Sequence, residues 1–217
     1  MTSGSDFEKI QERLEEINEI IAAKAQNQVN LIAVTKGFTH EEVNVATELG
    51  VKNFGENYAQ ELLAKNPLVD AEISWHYIGQ LQSNKIKKIS HLVDVWHSVT
   101  SLKLAREIHK RNDQAQILLQ VSLMGPSNTK GFEVEQLPQL ISQLRDMNID
   151  ISGLMTMGVP GDMVATRVVF KELRRLADTF ELPECSMGMS DDFEIALESG
   201  ASMIRVGSAI FGNRRPD

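Results

Sequence analysis

Eight short apolar runs rich in β-branched residues recur along this chain of 217 residues. They fall at 29–34, 52–54, 73–78, 92–97, 116–122, 149–154, 183–187 and 202–206. Helical patterns separate them at 40–49, 56–65, 83–90, 101–111, 133–146, 162–179 and 191–199, with a short one after Gly207. Leu102, Ala105, Ile108 and His109 share one helical face, and Leu137, Leu140, Ile141 and Leu144 share another. Strands that alternate with helices are predicted to lie parallel, because a parallel connection has to cross back over the sheet. Eight such units close into an α/β fold, the (β/α)8 barrel of TIM type, which tolerates chains of about 200 residues. An open doubly wound sheet is the alternative arrangement. An extra N-terminal helix is predicted over 6–25, where Phe7, Ile10, Leu14, Ile17, Ile20 and Ile21 form an apolar stripe; no chemistry is read on it. No Gly/Ser-rich or Pro-rich linker interrupts the pattern, so residues 1–217 are read as a single domain.

A net charge of -8 argues against a general nucleic-acid or anionic-membrane binder, since neutralising phosphates needs a basic face. Cys185 is the single cysteine, which excludes an intrachain disulfide and fits a reducing compartment. No apolar run approaches 18 residues, and the opening MTSGSDFEKI lacks the basic-then-apolar pattern of a signal peptide. A cytoplasmic protein is expected.

In LIAVTKGFTHEEV, residues 31–43, the first predicted strand runs out into Lys36. Barrels carry their chemistry at the C-terminal ends of the strands. A lysine there, partly desolvated, loses some preference for its charged form and becomes a nucleophile toward an aldehyde, forming a Schiff base. A lysine that snorkels to solvent or pairs with a carboxylate is the competing reading. An aldehyde ligand bearing a phosphate would need an anion site on the same rim, commonly after strands seven and eight. Gly207 and Ser208 follow strand eight directly and open a short helix whose N–H groups point outward. Ser190 lies in the loop after strand seven, placed either to donate to a phosphate or to cap the next helix. Asp191 and Asp192 argue against an anion at that second helix, so the helix after Gly207 is expected to carry most of the contact. Strand alternation puts Met203 and Arg205 on one face. An arginine inside a barrel needs a partner, either a pyridine nitrogen, which it would leave unprotonated, or an aspartate.

AVTKG, FGENYAQE, WHYIGQLQSNK, HSVTSLKLA, GLMTMG, SMGMSDDFEIALESGA and RVGSAIFGNR occur here in one order. In that order they resemble the pyridoxal-phosphate homeostasis proteins, which are similar to the barrel half of alanine racemase. The resemblance covers about residues 29 to 214 and implies bound pyridoxal 5′-phosphate as cofactor. It implies Lys36 as the Schiff-base residue, Ser190, Gly207 and Ser208 as phosphate ligands, Arg205 as the pyridine partner and Asn57 beside the ring hydroxyl. Met155 and Met157 are candidates to wall the cofactor or to fill the core, and His76 to line the same pocket or sit satisfied in the core. Ser83, Asn84 and Lys85, with Lys87 and Lys88, open a helix as either a phosphate-greeting patch or a solvated basic face; Lys130 in LMGPSNTKG is equally open, and that stretch departs from the glycine-rich wording common in the family. The resemblance implies a non-catalytic protein that buffers or delivers the cofactor through a reversible lysine Schiff base. It is expected to act as a monomer, with apo-forms of pyridoxal-phosphate enzymes as candidate recipients. The alternative is a small amino-acid racemase. Racemisation needs proton donors on both faces of the substrate carbanion, and no added β-domain is read here to supply the second.

Overall fold

The computed structural model describes residues 4–69, 71–123 and 131–213. Lys130 lies outside the described residues. Helix α1, Gly4–Lys24, comes first. The alternation then runs β1 Asn30–Val34, α2 His40–Glu48, β2 Asn53–Glu56, α3 Ala59–Lys65, β3 Ser74–Tyr77, α4 Ser83–Ile89, β4 Val95–Val99 and α5 Leu102–Arg111. It continues as β5 Gln116–Gln120, α6 Leu137–Asp146, β6 Ile151–Met155, α7 Met163–Thr179, β7 Glu184–Ser186, α8 Phe193–Glu198, β8 Met203–Val206 and α9 Ser208–Phe211. All neighbouring strands pair in parallel, and β8 pairs with β1 to close the barrel, with Asn30 opposite Met203 and Ile32 opposite Arg205. The open-sheet alternative is excluded by that closure.

The strands are buried on both faces, as parallel strands roofed by helices must be. Their outward side chains, such as Ala33, Phe54, Trp75 and Ile204, join the large core beneath the helices. Inside the barrel Ile32, Val95, Leu118, Met155 and Met203 form a second, smaller apolar cluster. Helix starts are set by side-chain caps. Thr39 and Glu42 make a capping box on α2, Ser101 caps α5 and Asp162 caps α7.

Several predicted boundaries move, three of them by three or more residues. The fourth apolar run spans 92–97, but the strand is Val95–Val99: Leu92 sits in the turn after α4 and Val93 packs into the core from an irregular segment. An apolar run marks burial and does not by itself say which of its residues extend. The pattern at 56–65 becomes helical only at Ala59, because Glu56 completes β2. The pattern at 133–146 opens with a 3-10 turn at Val134–Gln136 before α6.

The loops after β2 and β3 touch because residue 79 has no side chain. A Cβ on Gly79 would stand 1.9 Å from the carbonyl oxygen of Asn57. The Gly79 carbonyl is itself held, accepting from the buried Ser98 hydroxyl on β4. Gly79→Ala is therefore expected to force the two loops apart and to destabilise the protein by about 3 kcal/mol, at the upper end of overpacking effects; urea unfolding at constant m-value measures it.

Candidate functional site

The segment Thr35–Lys36–Gly37 is held from below by a buried charge cluster. Lys65 on α3 donates to the Thr35 carbonyl (2.7 Å), to Glu56 Oε1 (2.6 Å) and to Glu61 Oε2 (2.8 Å). The Thr35 hydroxyl also donates to Glu56 Oε1, at 2.6 Å, and the Gly37 N–H donates to Glu61 Oε2 at 2.8 Å. Both neighbours of Lys36 are thus fixed. The Lys36 side chain itself is half-buried, and its amine lies over the Tyr58 ring, 5.4 Å from the centroid. Burial raises Glu56 above the usual carboxylate range, and the Lys65 charge opposes that shift. Lys65 is buried as deeply as its partner requires, so each charge answers the other.

Across β8 the chain builds a cup. Ser190 does not cap α8. Its hydroxyl oxygen instead accepts from the N–H groups of Gly207 and Ala209, each at 3.3 Å, which ties the loop after β7 to the start of α9. Gly207 lies close against β1, where an added Cβ would come within 3.1 Å of the Val34 carbonyl. The far end of α9 is braced by α1, whose Arg13 donates to the Ile210 carbonyl at 3.2 Å. Asp192 turns its carboxylate to the Met189 N–H, at 2.6 Å, and burial raises its pKa.

Arg205 points inward from β8 and is 5% exposed. It has no carboxylate partner among the described ion pairs. Its Nη1 donates to Ser186 Oγ (2.5 Å) and its Nη2 to the Thr156 carbonyl (3.0 Å). Burial lowers the guanidinium to about 10, which leaves it charged at neutral pH, and the charge of Asp192 opposes the shift. From Ser186 a chain of contacts continues: His97 Nδ1 at 2.7 Å, then His97 Nε2 to His76 Nδ1 at 2.9 Å, then His76 Nε2 to Asn53 Oδ1 at 3.3 Å. Burial lowers His76 to about 4. Burial also lowers His97, reinforced by the charges of His76 and Arg205.

These pieces meet in one cavity of about 470 Å³ at the barrel mouth, within the ordinary range for a small-molecule pocket. Lys36, Asn57, Ser190, Arg205, Gly207 and Ser208 all line it, so the six residues singled out from the sequence are brought together. Other candidates fall elsewhere. His76 is a core histidine bonded to His97 and does not line the cavity. Met155 belongs to the inner apolar cluster, and Met157 is 37% exposed outside the cavity. Lys87 and Lys88 are exposed on α4, and Lys85 reaches only the Gln80 carbonyl at 3.4 Å, so this segment presents a solvated basic face. The ion pair considered for Arg205 is not formed. The sequence reading missed the Glu56–Lys65 pair, the His97 relay and Arg13, the last on a helix judged to be without chemistry. A histidine in the middle of the wholly buried strand VWHSV is the one signal for His97.

The cavity fits a phosphorylated pyridine aldehyde by the chemistry of its donors. It has an amine on a pinned turn, a buried guanidinium with N–H groups to spare, and backbone N–H groups at Gly207 and Ala209 that a serine oxygen already occupies as an acceptor. Among the described residues no helix is long and apolar enough to cross a membrane.

Residues 6–215 match the model of the family described as "Alanine racemase, N-terminal domain". A pyridoxal phosphate homeostasis protein of Aquifex aeolicus is 34% identical, over 99% of this chain and 100% of its own length. The solved structure of PipY from Synechococcus elongatus, with PLP bound, superposes with a TM-score of 0.85 at 32% identity, covering 94% of this chain and 100% of that one. An alanine racemase of Clostridium difficile shares the fold at 14% identity, with a TM-score of 0.73 over 97% of this chain and 58% of that one.

Two outcomes follow from the buried charges. Lys65→Met strips Glu56 of its partner and is expected to destabilise by about 3–5 kcal/mol at neutral pH, with the loss shrinking in acid as Glu56 takes up a proton; urea titrations at pH 7 and pH 5 read both. His76 and His97 titrate lower folded than unfolded, so the unfolded chain binds more protons between about pH 6.5 and pH 4. Stability should therefore fall as pH drops through that window, by up to about 1.4 kcal/mol per pH unit for each histidine. A stability that stays flat from pH 6.5 to pH 4.5 would count against neutral buried rings.

Proposed function

The chain belongs to the family of alanine racemase N-terminal domains, among relatives named pyridoxal phosphate homeostasis proteins, and from this we propose that it binds pyridoxal 5′-phosphate reversibly and buffers or delivers it. The observation that carries the reading is the convergence of Lys36, Arg205 and the Ser190–Gly207–Ser208 cup on one cavity. When bound, the cofactor supplies an aldehyde that condenses reversibly with an amine.

Lys36 is the amine at the mouth, on a turn that cannot drift because Thr35 and Gly37 are tied to Lys65 and Glu61. The N–H groups of Gly207 and Ala209 would exchange the Ser190 oxygen for a phosphate oxygen, and the freed Ser190 and Ser208 hydroxyls would donate to the same group. Arg205 would donate to the pyridine nitrogen and keep it unprotonated, which weakens the ring as an electron sink. Asn57, at the end of β2, would lie beside the ring hydroxyl.

A carrier fits this set better than a racemase. The ionisable groups in the described lining are Lys36, Asp191 and Arg205. Asp191 adjoins Ser190 at the anion end, and Arg205, held by Ser186 and Thr156, is assigned to the ring nitrogen. Neither is placed as an acid for the face opposite Lys36, which proton exchange on both faces requires. The proposal extends to a single-domain monomer in the cytoplasm, with apo-forms of pyridoxal-phosphate enzymes as recipients. Its one cysteine is buried on β7, where burial pushes the thiol up to about 12 and makes it inert.

Purified protein mixed with pyridoxal 5′-phosphate should gain a visible absorption band, and borohydride reduction followed by peptide mass spectrometry should place the label on Lys36. Lys36→Ala should lose the band and the label while retaining weaker binding through the phosphate cup. Labelling spread over surface lysines such as Lys87 and Lys88, or efficient conversion of L-alanine to D-alanine, would reject the carrier.

A further inference from the structure

Arg205 cannot accept a hydrogen bond, and this sets the direction of every bond behind it. Its Nη1 donates to Ser186 Oγ, so the Ser186 hydroxyl has one proton of its own to place. The described hydrogen bonds give that hydroxyl a single acceptor, Nδ1 of His97, 2.7 Å away. His97 then carries its proton on Nε2 and donates to Nδ1 of His76 at 2.9 Å. His76 in turn carries its proton on Nε2 and donates to Asn53 Oδ1 at 3.3 Å. Every proton in this order has an acceptor, and both rings are neutral. The reverse order would turn the Asn53 amide about and leave Ser186 between two donors with its own proton unplaced. Such an orphan is costly at a residue with no exposure.

We propose that His97 and His76 are positioning residues for Arg205, forming with Ser186 and Asn53 a one-way, uncharged hydrogen-bond relay through the barrel interior that aims the guanidinium into the cofactor cavity. The relay rests on the cofactor reading for its consequence and on geometry alone for its existence. It uses two strands remote in sequence from Arg205 and Ser186: His76 is on β3 and His97 on β4, while Ser186 and Arg205 are on β7 and β8. Arg205 spends one N–H on Ser186 and one on Thr156, which fixes the guanidinium plane and leaves the other N–H groups free for the ring. Neutral rings matter because a second positive charge beside Arg205 would repel it in a low-dielectric interior. His97 is wholly buried and His76 3% exposed, so no water competes for the order of the protons.

Nitrogen-15 histidine spectra of the unliganded wild-type protein at pH 7 test the relay directly. Both buried rings should be neutral, protonated at Nε2 and bare at Nδ1. A charged His97, or one protonated at Nδ1, would overturn the relay. With pyridoxal 5′-phosphate, His97→Leu should shift the visible band and weaken binding about tenfold, the effect of losing support for one charge-assisted hydrogen bond. His97→Gln, whose amide accepts at one end and donates at the other, should recover most of both. Ser186→Ala cuts the same relay at its other end and should reproduce the His97→Leu spectrum, which covers the case of a leucine variant that does not fold. Folded His97→Leu and Ser186→Ala proteins with the wild-type spectrum and affinity would reject the positioning role. A wild-type protein that shows no visible band would instead reject the cofactor reading, with the histidine spectra still deciding the relay.

Discussion

The pairing of the first strand with the last brings the site into existence. Lys36 and Gly207 are some 170 residues apart, yet Ala33 lies beside Val206 in the ladder, and both chains leave the barrel at the same point on the rim. Nothing local in either segment could hold an amine and a cup of N–H groups together. Closure does so by satisfying the two edges that an open parallel sheet would leave unpaired. Helix α1 then covers the seam from outside: it packs on α8 and α9, and Arg13 takes up the Ile210 carbonyl of α9. The extra helix therefore belongs to the site, since the cup rests on a helix of only four residues that has little stability of its own.

Closure also buries charge, and the barrel answers it in two ways. Outside the strands, beneath α3, Glu56 and Lys65 neutralise each other; Lys65 also holds the Thr35 carbonyl and Glu56 accepts from the Thr35 hydroxyl, which fixes the chain next to Lys36. Inside, Arg205 forms no ion pair among the described residues. Its charge is met by the dipoles of a hydroxyl and a carbonyl, with neutral rings behind them. A carboxylate in that position would satisfy the guanidinium and so weaken its pull on a ligand. Leaving the charge half-answered keeps it available, and the price is a set of buried polar groups that must all point one way.

The barrel was legible because its signal is repeated eight times, so an error of two or three residues at β4 or α3 leaves the count unchanged. The cavity residues were legible because each lies at, or in the loop just after, the C-terminal end of a strand, and those ends converge on one side of a barrel. Arg205 was legible from alternation alone, although its partner was not: Ser186 and Thr156 come from β7 and from the end of β6, and no spacing in sequence announces them. Ser190 shows the same limit. Its position was read correctly, but its hydroxyl turns to α9 instead of its own helix, a choice set by tertiary proximity. Lys65 looks like any surface lysine on a short amphipathic helix, and only the packing of α3 over the end of β1 reveals it as buried.

The two halves of the cavity differ in rigidity, and that difference suits holding and release. On the β8 side Ser190, Gly207, Ala209 and Arg205 are tied into fixed networks. On the β1 side the backbone of Lys36 is equally fixed, but its side chain is half-buried and, among the described contacts, its amine meets the Tyr58 ring, a contact worth about 0.5–1 kcal/mol at an exposed site. A ligand would thus be oriented by a stiff cup and a stiff arginine while the covalent bond is made by a loosely held amine. Release would ask little reorganisation of the protein, since the lysine side chain would return to one weak contact. A carbanion-forming enzyme needs the opposite arrangement, with its acid–base groups locked and water shut out at the moment of proton transfer. The division between a rigid anchor and a slack amine is therefore the physical ground for proposing reversible binding in this cavity over carbanion chemistry.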